Sequence, residues 1–123
     1  MGETCIRVLA DVNQIKDCKQ EIERISKQTK QMSKLLALAG NEVRLHILYL
    51  LHRERQMCPC DLSDVLGMNV SPISQHLRKL KDSGMVIDKK IGQTIFYSLD
   101  QEVVYPILNI IKSLKKESKS LVK

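Results

Sequence analysis

The sequence predicts a mainly α (α+β) fold: a winged helix-turn-helix with a two-stranded β-hairpin wing, dimerising through its N- and C-terminal helices. Three observations carry that expectation. Apolar residues recur at helical spacing through most of the 123 residues. Two short helical stretches flank Gly67, and directly after Gly84 the pattern changes to β-branched and aromatic runs, "MVIDKK" and "QTIFYSL", on either side of Ile91-Gly92.

Taken in order, Val12, Ile15, Ile22, Ile25, Met32, Leu35, Leu36 and Ala39 form a helical recurrence spaced by Lys, Glu and Gln, which predicts two helices or one interrupted helix. Gly40-Asn41 supplies a stop and a fresh N-cap. Beyond it Val43, Ile47, Leu48, Leu50 and Leu51 are too dense for an exposed helix, so the next helix is largely buried and ends in "HRERQ". Asp61 to Leu66 makes a short helix closed by Gly67. "NVSPISQHLRKLKDSG" makes another, with Ile73, Leu77 and Leu80 on its inner face and Gly84 as its stop. The two β runs form the hairpin. From Asp100 the chain returns to helix, with Pro106 accepted in its first turn and lysines 112, 115, 116 and 119 complementing the dipole at its end. Val103, Val104, Ile107, Ile110, Ile111 and Leu114 present an apolar face too wide for so small a domain to cover, which predicts a homodimer. The expected organisation is an extension carrying cysteines over residues 1–30, a winged helix-turn-helix domain over 31–119, and a tail over 120–123.

Composition limits the partners. A formal charge of +6 points to a polyanion, and with one Phe, three Tyr and no Trp the chain lacks the stacking platforms of single-strand or RNA binders, which leaves duplex DNA. No run of about 18 apolar residues appears and the N-terminus has no apolar signal block, so the expected location is cytoplasmic, with no membrane contact. In a reducing compartment the four cysteines, Cys5, Cys18, Cys58 and Cys60, point to metal binding or redox chemistry before a disulfide framework.

The spacing in "MCPCDL" gives the thiols a geometry. A residue before proline is pushed extended and proline favours the first helical position, so Cys58 is the expected N-cap, Pro59 the N1 residue, and Cys60 a first-turn residue. Across such a junction two sulfurs can converge, and the positive helix end favours the thiolate that metals require. Two sulfurs do not complete a site for Zn(II), Cd(II), Pb(II) or Hg(II), and Cys5 and Cys18 are the cysteines that remain. Cys18 lies among Ile15, Ile22 and Ile25 and fits a core position equally well. The candidate DNA contacts are Ser71, Ser74, Gln75, His76, Arg78 and Lys79, on the side of the second short helix away from its apolar residues. Gln75 is the best placed for a base. Lys89 and Lys90 beside the Gly92 turn fit phosphate or minor-groove contacts, and also fit ordinary edge protection. His46 and His52 lack ligand spacing and read as packing or surface residues.

The segments "LALAGNEVRLHILYLL", "CPCDLSDVLGMNVSPISQHLRKLKDSGMV" and "KKIGQTIFYSL" resemble the ArsR/SmtB family of bacterial metal-responsive repressors, from about Leu35 to about Leu114. The likeness is greatest to members that sense soft metals through thiolates, such as the cadmium- and lead-responsive repressors. The resemblance implies that Cys58 and Cys60 are the thiolate pair before the recognition helix, and that cysteines of an N-terminal extension, commonly the other subunit's, join them. Cys5 and Cys18 match that extension in general location, with a wider separation than is typical. The family's other site, on the C-terminal helix, needs imidazoles, and "LDQEVVYPILNIIKSLKKES" has none, so no zinc site is expected there. The expectation is a dimeric repressor released from operator DNA by a soft divalent metal ion (Cd, Pb, Hg or Zn). A thiol-redox repressor using the same cysteines is the alternative, and a small CxC oxidoreductase a distant one, because no acid/base constellation accompanies the thiols.

Overall fold

The computed structural model describes residues 6–116. The chain divides between Met32 and Ser33 into two compact units. Helix α1 spans Val12–Ala39, 28 residues without a break, where the spacing had predicted two helices or an interruption. No Gly or Pro lies within it, and Lys, Glu and Gln are good helix formers. Asp11 accepts from the Gln14 N–H at 2.9 Å at its start, and Glu21 pairs with Arg24 one turn apart. Ser26 and Thr29, poor helix formers, return their hydroxyls to the Ile22 and Ile25 carbonyls at 2.6 and 2.9 Å.

In the larger unit, Asn41 caps α2 (Glu42–Glu54), its side chain accepting from the Arg44 N–H at 3.1 Å. Helix α3 (Pro59–Leu66) begins two residues ahead of Asp61 because Pro59 occupies its first turn, and it ends on Gly67, whose φ of 65° is the left-handed closure that glycine adopts without strain. Helix α4 (Val70–Asp82) follows, and Gly84 with φ 86° turns the chain into strand β1 (Val86–Ile91). Strand β2 (Thr94–Leu99) pairs antiparallel with it, from Val86 opposite Leu99 to Ile91 opposite Thr94. That register makes Gly92-Gln93 the two-residue loop, one residue beyond the expected Ile91-Gly92. Gly92 has φ 64° and Gln93 does not share the positive φ, as a type II′ hairpin requires. Helices α3 and α4 with the Gly67 turn are the helix-turn-helix, and the hairpin is its wing.

The C-terminal segment is not the single helix that its periodicity predicts. Asp100 caps α5 (Gln101–Val104) by accepting from the Glu102 and Val103 N–H groups at 3.1 and 3.2 Å. The chain then tightens into a 3₁₀ turn over Tyr105–Ile107 before α6 (Leu108–Ser113). Pro106 is the cause: it has no N–H for the carbonyl four residues back, and its ring crowds that carbonyl. The apolar rhythm survives the break. Val104, Ile107 and Ile111 are buried with Ile47, Leu48 and Leu51 of α2, Leu62 of α3, Ile73, Leu77 and Leu80 of α4, and Met85, Val86 and Leu99. Among the described residues no polar side chain is buried in this core. Ile110 and Leu114 remain about half exposed, at 51% and 49%. With Leu36, Ala39, Gly40, Leu45, Ile107 and Ile111, Ile110 lines an apolar groove.

Candidate nucleic-acid interface and thiol site

The recognition helix is set by its inner face. Ile73, Leu77 and Leu80 have no solvent exposure, which fixes the rotation of α4 about its axis and turns Ser71, Ser74, Gln75, Arg78 and Lys79 to solvent. These five carry hydroxyl, amide and cationic groups on one accessible surface. His76 differs from them. It is half-buried, and its Nδ1 accepts from Nε of Arg44 on α2 at 3.2 Å. Burial, then the positive charges of Arg44 and Lys79, hold the His76 pKa below the ordinary histidine value, so the ring is neutral near pH 7.

The wing is tied to the recognition helix by Lys81, whose Nζ donates to Asp88 Oδ2 at 2.8 Å; that bond raises the Lys81 pKa. The register separates the two wing lysines. Lys89 lies opposite Phe96 on the face that carries Ile87 and Ile91, whereas Lys90 lies opposite Ile95 on the face that carries Asp88 and Tyr97. Both are exposed. The two lysines therefore project from opposite faces of the wing.

Cys58 is the N-cap of α3 with φ −91° and ψ 160°, and Pro59 is at the helix start, as the cysteine-proline spacing predicts. The Cys58 side chain makes no capping hydrogen bond, so its sulfur is not spent on the helix end. Cys58 is half-buried and Cys60, in the first turn, is exposed; both are free thiols. The residue just before them is held firmly. Met57 forms an isolated bridge to Tyr97 of β2, donating to its carbonyl at 3.1 Å and accepting from its N–H at 2.9 Å. The thiol pair therefore starts from a backbone fixed to the wing and ends in the helix that precedes the recognition helix.

The remaining cysteines divide. Cys18 is exposed on α1, beside Gln14, Ile15, Lys19, Ile22 and Glu23 on a shallow surface, so within its unit it is not a core residue. Cys5 lies outside the described residues. Among the described residues no three His, Cys, Asp or Glu side chains gather into a metal-binding cluster. His46 is exposed and His52 half-buried. Sequence reasoning missed Arg44, Lys81 and Met57. Arg44 carried one signal, a cation within the densest apolar run of the chain.

The family model described as "Bacterial regulatory protein, arsR family" matches residues 41–88, which run from the Asn41 cap into β1. The cadmium resistance transcriptional regulatory protein CadC homolog of Staphylococcus aureus is 33% identical over 73 residues, 59% of this chain and 60% of that protein. The arsenical resistance operon repressor of Escherichia coli K12 is 37% identical over 73 residues, with the same coverages of 59% and 60%. The chain thus spans somewhat less than two thirds of these relatives. Among solved structures, reduced HlyU from Vibrio cholerae N16961 is 32% identical with a TM-score of 0.68, and the alignment covers 76% of this chain and 99% of that one. The helix-turn-helix and the start of its wing lie within residues 41–88, and that segment of the chain belongs to the ArsR family of bacterial regulatory proteins.

Proposed function

We propose that the protein is a homodimeric, cytoplasmic transcriptional repressor that binds operator DNA through α4 and the wing, and that a thiophilic metal ion at Cys58 and Cys60 releases it. One observation carries the reading: a pair of free thiols at the N-cap of α3, anchored to the wing through the Met57–Tyr97 bridge and one helix ahead of the recognition helix. The cadmium and arsenical resistance regulators among its relatives support a metal effector. No helix among the described residues is long and apolar enough to cross a membrane.

The donor set fits a soft ion. Both sulfurs are free and at least partly accessible, and thiolates select Cd(II), Pb(II), Hg(II) and Zn(II) over hard cations. Such an ion would supply a centre that draws the two sulfurs together. Cys58 and Cys60 can meet that demand only if the cap residue and the first turn of α3 adjust, and each has a neighbour that feels the adjustment. Met57 passes it to β2 by two backbone bonds, and the body of α3 passes it to α4 across the Gly67 turn. DNA and metal then favour different arrangements, and each weakens the other by the same free energy, typically about 1–3 kcal/mol, or roughly 5–150-fold in affinity. Cys5 and Cys18 are the proposed further ligands. The uncovered apolar groove with Ile110 supports the dimer.

The test needs no prior operator. Reduced protein selects its site from a random duplex library, and fluorescence anisotropy then follows affinity for the winner as Cd(II), Pb(II), Hg(II) or Zn(II) is added. Release of wild type by at least one ion, with Cys58→Ser and Cys60→Ser binding DNA normally but not releasing it, is the expected result. A serine variant that cannot bind DNA without metal makes the thiols structural and defeats the proposal. A thiol-redox sensor has one observation in its favour, the reduced form in which the related HlyU was solved. Release by peroxide in chelator-treated buffer, reversed by dithiothreitol, would select it.

A further inference from the structure

Arg44 stands at a junction of three elements. Its backbone N–H donates to the Asn41 cap, its Nη1 donates to the Leu38 carbonyl at 3.0 Å near the end of α1, and its Nε donates to His76 Nδ1 at 3.2 Å on the recognition helix. A guanidinium has no acceptor, so the contact with His76 exists only if Nδ1 is bare. The ring proton then sits on Nε2. Among the described residues Nε2 has no hydrogen-bond partner, yet no side-chain nitrogen or oxygen is both buried and unpaired, so Nε2 reaches solvent. An imidazole gripped at one nitrogen and open at the other is a fixed, neutral donor next to the exposed Gln75 and Lys79.

We propose that Arg44 is a positioning residue that holds His76 as an Nε2–H donor toward a base-edge acceptor in the major groove, and so sets part of the sequence preference of the recognition helix. The inference rests on the DNA-binding reading above. Guanine O6 and N7, adenine N7 and thymine O4 are the acceptors such a donor can meet. A neutral donor suits this role better than a charge: a cation strengthens binding to every sequence alike through phosphates, whereas a short, oriented donor discriminates by what lies opposite it. The grip on the Leu38 carbonyl adds a second effect. It fixes the guanidinium at its far side, so the imidazole is held against an anchored partner and not against a freely rotating side chain.

The experiment has two independent arms. In the first, proton NMR titration follows the three histidines, assigned by single replacements, in wild type and in Arg44→Met, which keeps most of the stem and deletes the donors. The His76 titration should move up toward the ordinary histidine value in Arg44→Met. If His76 does not move, the bond is absent in solution and the proposal falls. In the second, the selected duplex and its single-base variants are compared by anisotropy. Arg44→Met and His76→Phe should each lower discrimination about five-fold or more at the same base position of each half-site, with no further loss in the double variant. Uniform weakening across all sequences, or loss at different positions, overturns the positioning role. Circular dichroism melting checks that Arg44→Met is folded, and Arg44→Leu, which likewise deletes the donors, serves if it is not. Wild type that selects no sequence at all sinks the DNA-binding reading, while the histidine titration still judges the Arg44 bond.

Discussion

The salt dependence of DNA binding follows from which cations the fold can present together. Arg78 and Lys79 are exposed on the recognition helix, and Lys89 and Lys90 are exposed on opposite faces of the wing. Lys90 shares its face with Asp88, which reaches back to Lys81 of α4, so Lys90 projects on the side of the recognition helix and Lys89 on the other. If the proposed DNA-binding dimer is right, each subunit brings three cations to the duplex, and the dimer about six. Counterion release predicts a slope of log binding constant against log salt of about −5, against about −7 if both wing lysines met phosphates. Between 50 and 200 mM salt the first loses about 2,000-fold in affinity and the second about 20,000-fold, a difference that anisotropy titrations resolve easily. Lys90→Ala should reduce the slope magnitude by about 2 and weaken all sequences alike, and Lys89→Ala should leave the slope unchanged. Equal effects of the two substitutions, or a slope near zero, would refute the assignment of wing faces to DNA.

Cys5→Ser should lower affinity for every thiophilic ion, and Cys18→Ser should harm a four-thiolate ion such as Cd(II) more than a three-thiolate ion such as Pb(II), read from thiolate-to-metal charge-transfer absorption. Because burial and two neighbouring cations lower the folded His76 pKa, the unfolded chain takes up the proton first as pH falls. Stability should therefore be fully present above the unfolded histidine pKa of about 6.5 and decline below it, while His76→Asn, which keeps an acceptor for Arg44 and does not titrate, should lose less on going from pH 7 to pH 5 in thermal melts. Gly67→Ala places a Cβ in open space but on a backbone with φ 65°, so the expected cost is strain alone, about 1–2 kcal/mol by denaturant unfolding, with metal binding retained.

Much of the fold was legible because single residues dictate local geometry. Cys58 before Pro59 read as an N-cap, Asn41 after Gly40 as a fresh helix start, and Gly67 as a left-handed stop, and each reading depends on rules that act within three or four residues. The errors have equally local causes weighed wrongly. Pro106 read as tolerable because it follows Asp100 closely, yet it falls at the sixth residue after that cap, where the missing N–H breaks the ladder into a 3₁₀ turn. The recurrence along α1 read as two helices or one interrupted helix, whereas a stretch of good helix formers with no Gly or Pro continues unbroken from Val12 to Ala39.

The exposure of the candidate site residues was legible in the sequence, and their pairings were not. That Gln75 and Arg78 are exposed follows from the period of Ile73, Leu77 and Leu80 alone. That His76 turns toward Arg44 does not, because the partners are 32 residues apart and meet only once α2 and α4 pack. Lys89 and Lys90 are adjacent in sequence, and only the register Val86 to Leu99 shows that the pleat sends them to opposite faces. The Met57–Tyr97 bridge is of the same kind: a loop residue and a strand residue joined by two backbone bonds that no side-chain pattern encodes. In the proposed mechanism these long-range pairings carry the functional consequence. The thiols are spelled out in "CPC", but what a change at the thiols can move is decided by what Met57 holds on one side and what α3 packs against on the other.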